Sequence, residues 1–342
     1  MSVENIVGQG GEHLVVHGLE WTAKELFTYP NEFIYWSIQI VMYPYMTGLV
    51  AGAFVLSSLY HVFGQQDLKT IARFSLVFSL ALLPVAMMPL QFHLQQPFRG
   101  MNVMFTPHFT SAIAAFGIVF STYAVIVLSE IWFVYRKFFV DQIEILKGKE
   151  GAVDRFKYYL YLLLSLGAFD TSDAAVAKDK KAVKILAGIG IPVACFLHGY
   201  AGFIFGSVKA NALWMSPLMP VIFIMSAVVS GIALCMLTYI IIMEFKKWSA
   251  IIAKGKGDES VQVIAGAELD VITKTSRYLL GFLIAAITLE LLDLIFSGYT
   301  AMKSWDILLS VMYGKDFINI FVLQYTLGNL VPFALLLLPG RT

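Results

Sequence analysis

Residues 217–248 read PLMPVIFIMSAVVSGIALCMLTYIIIMEFKKW, and no charge interrupts them before Glu244. An apolar run of that length exceeds the ~20 residues a helix needs to cross a hydrocarbon core of about 30 Å. Six further runs of the same kind flank it, at about 36–63, 71–96, 108–138, 182–207, 276–300 and 317–338. Hydrophobic residues make up 58% of the 342-residue chain and charged residues 14%, with a mean hydropathy of +0.75; a soluble domain carries about 25% charged. Helix is the expected form of each run, because an isolated lipid-exposed strand leaves its backbone groups unsatisfied. The expected fold is therefore an all-α, polytopic membrane helical bundle of about seven transmembrane helices.

Basic residues orient it. With the N-terminus outside, 19 of the 24 Lys and Arg fall on the cytoplasmic side, as the positive-inside tendency demands. The C-terminus is then cytoplasmic. Residues 1–35 form an extracytoplasmic segment whose five glutamates and one lysine do not resemble a cleavable signal. Residues 36–340 form the transmembrane domain. Within the longest inner connection, Arg155 to Leu166 (RFKYYLYLLLSL) are too short to span and read as one cytoplasmic interfacial helix. The KGKG at 254–257 lacks the GxxxxGK[ST] pattern of a phosphate loop. A basic count of 24 against 23 acidic offers nothing to a nucleic acid. Cys195 and Cys235 lie in separate apolar runs and make no metal motif.

Polar residues at membrane depth are costly and need a reason. Glu130 and Glu244 lie toward inner span ends, where a carboxylate can snorkel. Glu290 stands roughly 21 Å along the sixth span, in the outer third, and Asp293 follows at i+3 on the same face. Both charges on one face are hard to sustain there, which suits a pair that takes up and releases protons. Glu290 and Asp293 are the expected proton relay, with Glu130 at the cytoplasmic end of the route. Their bland alternative is neutralisation by a partner or by near-surface water. His93 and His198 fall toward the outer side, and His108 opens the third span there. His61 sits at the inner end of the first span; His13 and His17 precede it. Tyr35, Gln39 and Tyr43 add a polar stripe at i, i+4 and i+8. Together these groups outline an outer-leaflet pocket with hydrogen-bonding and proton-accepting walls, which is what a quinone head group requires. Gly199, Gly202 and Gly206 admit close approach of a helix or ligand. His198 and Tyr200, about 200° apart on a helix, do not both face one pocket.

The stretch HGYAGFIFGSVKANALWMSPLMPVIFIMSAVVSG, residues 198–231, resembles the fourth and fifth helices of the NrfD/PsrC family of polysulfide reductase-type membrane subunits. The resemblance rests on the His/Tyr-Gly helix, Trp214 after a short loop, Pro217 and Pro220, and Phe223, Ser226 and Gly231. The long basic segment before His198 and MNVMFTPHFTSAIA at 101–114 look closest to DsrP, of sulfite-reduction-associated complexes. The resemblance implies exchange of electrons and protons between menaquinone and an extracytoplasmic, ferredoxin-like iron–sulfur subunit. It implies further redox subunits such as cytochromes, and no haem, metal or flavin in this chain. Tyr200 matches the family's fourth-helix tyrosine, and His198 the histidine of alternative-complex-III-type subunits. With Tyr35, Gln39 and His93 from the outer-level group, the expected quinone contacts are Tyr35, Gln39, His93, His198 and Tyr200. Ile204 stands where that second type has an aspartate, and seven spans compare with the family's eight to ten.

Two rivals remain. A single-haem b-type quinol oxidoreductase subunit would pair His93 or His108 with His198. A secondary transporter or ion-conducting subunit would use Glu290, Asp293 and the Pro84/Pro89 span, although no internal repeat is evident. A retinal protein fails because the last span holds no lysine.

Overall fold

A computed structural model describes residues 38–94, 97–108, 110–111, 113–208, 214–255, 266–299, 303–314 and 316–338. The expected extracytoplasmic segment 1–35, with Tyr35, His13 and His17, lies outside them. Among the described residues every regular element is helical: α1 (Ile38–His61), α2 (Lys69–His93), α3 (Asn102–Phe105), α4 (Ala114–Leu146), α5 (Ala152–Leu164), α6 (Asp173–Gly206), α7 (Met219–Gly255), α8 (Leu269–Tyr299), α9 (Lys303–Met312), a π-helix (Ile318–Leu330) and α10 (Val331–Leu337), with short 3-10 turns at Gln66–Leu68 and Pro97–Arg99. Seven of these stretches are long and apolar enough to cross a membrane, the last being the π-helix joined to α10. They coincide with the seven runs in the sequence.

The helices outrun the hydropathy. α4 continues to Leu146, α6 starts at Asp173 and α7 reaches Gly255. Those ends are charged, and a hydropathy reading registers only the part that lipid surrounds. Cation-rich ends of the helices meet on one side of the bundle, hereafter the basic end. There Lys274 of α8 pairs with Asp67 in the α1–α2 turn at 2.7 Å. Glu244 of α7 accepts the Ala267 N–H at 3.2 Å, just before α8. Ser172 caps α6, its hydroxyl accepting the Ala175 N–H at 3.3 Å. The Ser172 N–H in turn donates to Asp170, which holds that carboxyl below its ordinary range. Arg136 of α4, 4% exposed, donates to Asp179 of α6 through Nε and Nη2 and to the Ala168 carbonyl. That clamp fixes the turn between α5 and α6.

The helix expected over 155–166 forms as α5, two to three residues earlier. It lies on α4, with the Trp132 indole donating to the Leu164 carbonyl at 2.9 Å and Tyr161 against Phe138 and Phe139. Phe156, Tyr159 and Leu163 are exposed.

α1 is the central helix. Its run TGLVAGAFVLSSL, 47–59, is almost wholly buried, and the small residues in it let neighbours approach closely. One face joins α2, α4 and α6 through Phe54, Leu76, Tyr123 and Leu197. The other joins α2, α7 and α8 through Leu56, Ile71, Ile232 and Leu279. Burial declines outward from α1, and the π-helix and α10 have no buried residue.

Candidate functional site

At the end opposite the basic one, residues 214–217, α7, α8, α9 and the π-helix line a half-open cavity of about 730 Å³. Trp214, Met219, Ile222, Phe296, Leu308 and Met312 supply much of its apolar wall. Glu290 and Asp293 project into it from one face of α8, as their i, i+3 spacing predicts. Each carboxylate has a neutral donor. The Ser216 hydroxyl donates to Asp293 Oδ1. Asn329 Nδ2, from the π-helix, donates to Glu290 Oε2 at 3.0 Å. Gln324 and Tyr325 add two further polar groups. Among the described residues no Lys or Arg lines the cavity. An apolar chamber of this size with a few convergent polar groups has the character of a small-molecule site. Its two carboxyls can exchange protons with a bound carbonyl or hydroxyl.

The other residues singled out in the sequence lie elsewhere. His198 is 4% exposed and does not line the cavity. Its ring sits over Gly48 of α1, Cε1 lying 2.8 Å from where a Cβ at Gly48 would stand, and 5.5 Å from the Phe223 ring of α7. Tyr200 is partly buried between Phe196 and Phe203, each at 5.7 Å. The two side chains thus have different neighbours, as their angular separation on α6 requires. Gln39, at the start of α1, and His93, at the close of α2, are partly buried; Tyr35 is outside the described residues. His108 precedes α4, its Nδ1 2.7 Å from the Thr110 hydroxyl. Glu130 does not snorkel. It is fully buried near the basic end, 3.4 Å from His61 Nδ1, across the bundle from Glu290. The α6 glycines pack against α7: Gly199 on Ile224, Gly202 on Pro220 and Gly206 on Met219.

Sequence alone does not mark Ser216, Asn329, Gln324 and Tyr325 as parts of a site. Asn329 carries a usable signal, since an amide inside an apolar run raises the same question of cost as a carboxylate. Ser216 carries none, because serine after a tryptophan in a connection is unremarkable.

Residues 27–338 match the model of the family described as polysulphide reductase, NrfD. A selenate reductase subunit of Mesobacillus selenatarsenatis is 30% identical over 204 residues, covering 60% of this chain and 47% of that protein. Protein NrfD of Escherichia coli K12 is 24% identical over 210 residues, 60% of each protein. The chain spans about half the length of the curated relatives it matches.

Proposed function

The chain belongs to the polysulphide reductase NrfD family, and on that premise we propose that it exchanges electrons and protons between menaquinone and an extracytoplasmic iron–sulfur subunit. It is a multi-pass protein of the cell membrane. The observation that carries the reading is the cavity with Glu290 and Asp293. A quinone ring fills an apolar chamber, and its two oxygens need groups that donate and accept protons. Bound there, the quinone supplies the redox chemistry, and the chain supplies seating, orientation and proton exchange. Ser216 and Asn329 each orient one carboxyl by a hydrogen bond, and each carboxyl can serve one oxygen. The iron–sulfur subunit covers the same end, over residues 97–107 and 208–216, of which 209–213 lie outside the described residues. The wider complex acts on sulfur compounds, following the likeness to DsrP, with further redox subunits attached.

Glu290→Gln keeps size and hydrogen bonding but ends proton exchange. Turnover of the complex with a menaquinol analogue should fall about tenfold or more, with assembly intact, and Asp293→Asn should act alike. Wild-type rates for both variants across about pH 5–9 would make the carboxyls structural. Gln39, His93 and Tyr200 offer a second seat at the same end, favoured by the Tyr43 hydroxyl, which is buried there without a hydrogen-bond partner among the described residues. Tyr200→Phe separates the two: a loss of about tenfold in Tyr200→Phe, with Glu290→Gln silent, moves the head group to the second seat.

A further inference from the structure

The core around α1 holds polar groups that the cavity does not use. Glu130 is fully buried, and neither carboxylate oxygen accepts a hydrogen bond among the described residues. His61 Nδ1 lies 3.4 Å from Glu130 Oε1 and 3.0 Å from the Ser57 hydroxyl. One such neighbour is little compensation for a carboxyl at membrane depth, where burial is costly. Two turns back along α4, the Tyr123 hydroxyl stands 3.2 Å from Ser79 Oγ of α2, and the Ser79 hydroxyl donates to the Val50 carbonyl at 3.1 Å. One level further, over Gly48, lies His198, whose Nδ1 has no partner among the described residues. Beyond it comes the Tyr43 hydroxyl, equally unpartnered and 3% exposed.

These levels follow α1 from His61 through Val50 and Gly48 to Tyr43. At roughly 1.5 Å per residue they extend about 27 Å, close to the hydrocarbon thickness of about 30 Å. Of the buried side-chain polar atoms left without partners among the described residues, only the Tyr239 hydroxyl lies off this line. Folded interiors leave few such groups, and ordered water satisfies most of those that remain. Repeated along one helix, they are the groups that bridging water would join.

We propose that this line is a water-bridged proton path through the first bundle, entered at His61 and Glu130 and ending at Tyr43. Its purpose rests on the quinone reading above, with the head group in the second seat of Gln39, His93 and Tyr200 beside Tyr43. Reduction of a quinone to a quinol takes two electrons, from the iron–sulfur subunit, and two protons, from this path; oxidation returns both by the same routes. The Glu130 carboxyl passes its proton through water to the Tyr123 and Ser79 hydroxyls and is reprotonated by way of His61. Protons then enter from the basic end while electrons enter from the opposite one, so each turnover moves charge across the membrane.

Infrared spectroscopy on the complex from native membranes reads the path without any quinone. Glu130 should give a protonated-carboxyl C=O band that shifts within minutes in D2O and is absent from Glu130→Gln. No Glu130 band, or one unshifted after hours, overturns the proposal. In sealed vesicles with a pH dye on each side, turnover with a menaquinol analogue should exchange protons with the compartment facing the basic end. Glu130→Gln should cut that exchange about tenfold, and Glu130→Asp should restore part of it. Tyr123→Phe should leave the Glu130 band exchangeable yet also slow turnover. Proton exchange confined to the other compartment, with Glu130→Gln at wild-type rate, sinks the path and spares the role of Glu290. If the wild-type complex does not turn over the analogue, the quinone reading fails and the infrared result alone decides the path.

Discussion

A Cβ on Gly231 would lie 2.6 Å from Gly52 Cα and 2.8 Å from the Leu49 carbonyl oxygen. α1 and α7 therefore cross backbone to backbone, with no flexible side chain to yield. Overpacking typically costs about 1–3 kcal/mol, and a rigid neighbour leaves no cheap relaxation. Gly231→Val should lower the thermal midpoint of the detergent-solubilised protein. Gly188→Val and Gly281→Val serve as controls, because nothing lies within 4 Å of either added Cβ. Equal melting of all three variants would show that the crossing is looser than these distances require. His198 belongs to the same scale: its position depends on Gly48 having no side chain, so this histidine is placed by a residue 150 positions away in the chain.

Among the elements, the π-helix stands out. Extended π-helix is rare, and where it occurs it often marks a functional site. Here Thr326 donates its hydroxyl to the Phe321 carbonyl at 2.7 Å, five residues back, and Phe317, Phe321 and Tyr325 pack along one row with tilted rings. The same segment turns Ile320, Gln324 and Tyr325 into the cavity and brings Asn329 to Glu290. Asn329→Leu removes that donor and leaves the carboxyl without its amide. The carboxyl is then no longer oriented toward the head group, so turnover with a menaquinol analogue should fall about tenfold or more. Unchanged turnover would reduce the π-helix to a packing feature.

On the scale of the whole molecule, burial is graded from a central α1 to a final span without buried residues. The basic end collects the ion pairs Arg136–Asp179 and Lys274–Asp67, and the opposite end holds the cavity. With the basic end cytoplasmic, a cysteine at Lys180 should react with a membrane-impermeant maleimide only after cells are permeabilised. A cysteine at Arg99 should react in intact cells once the iron–sulfur subunit is stripped, and be protected in the native complex. Reversed labelling would invert the topology. Labelling at Arg99 unaffected by the partner, or an isolate from mild detergent without any iron–sulfur protein, would remove the docking surface.

Hydropathy and charge along the chain determined the seven spans, and the i, i+3 spacing alone put Glu290 and Asp293 on one face. Those properties depend on transfer between water and lipid and on helix geometry, both local to a segment. Tertiary structure decided which helix is central, that Glu130 is sealed against His61 instead of snorkelling, that His198 faces Gly48 and not the cavity, and that Asn329 reaches Glu290. In water, an apolar face marks the inside of a helix. Within a bilayer, faces turned to lipid and faces turned to protein are equally apolar, so periodicity is silent about contacts. Only the close approach of small residues far apart in the chain settles which side chains meet.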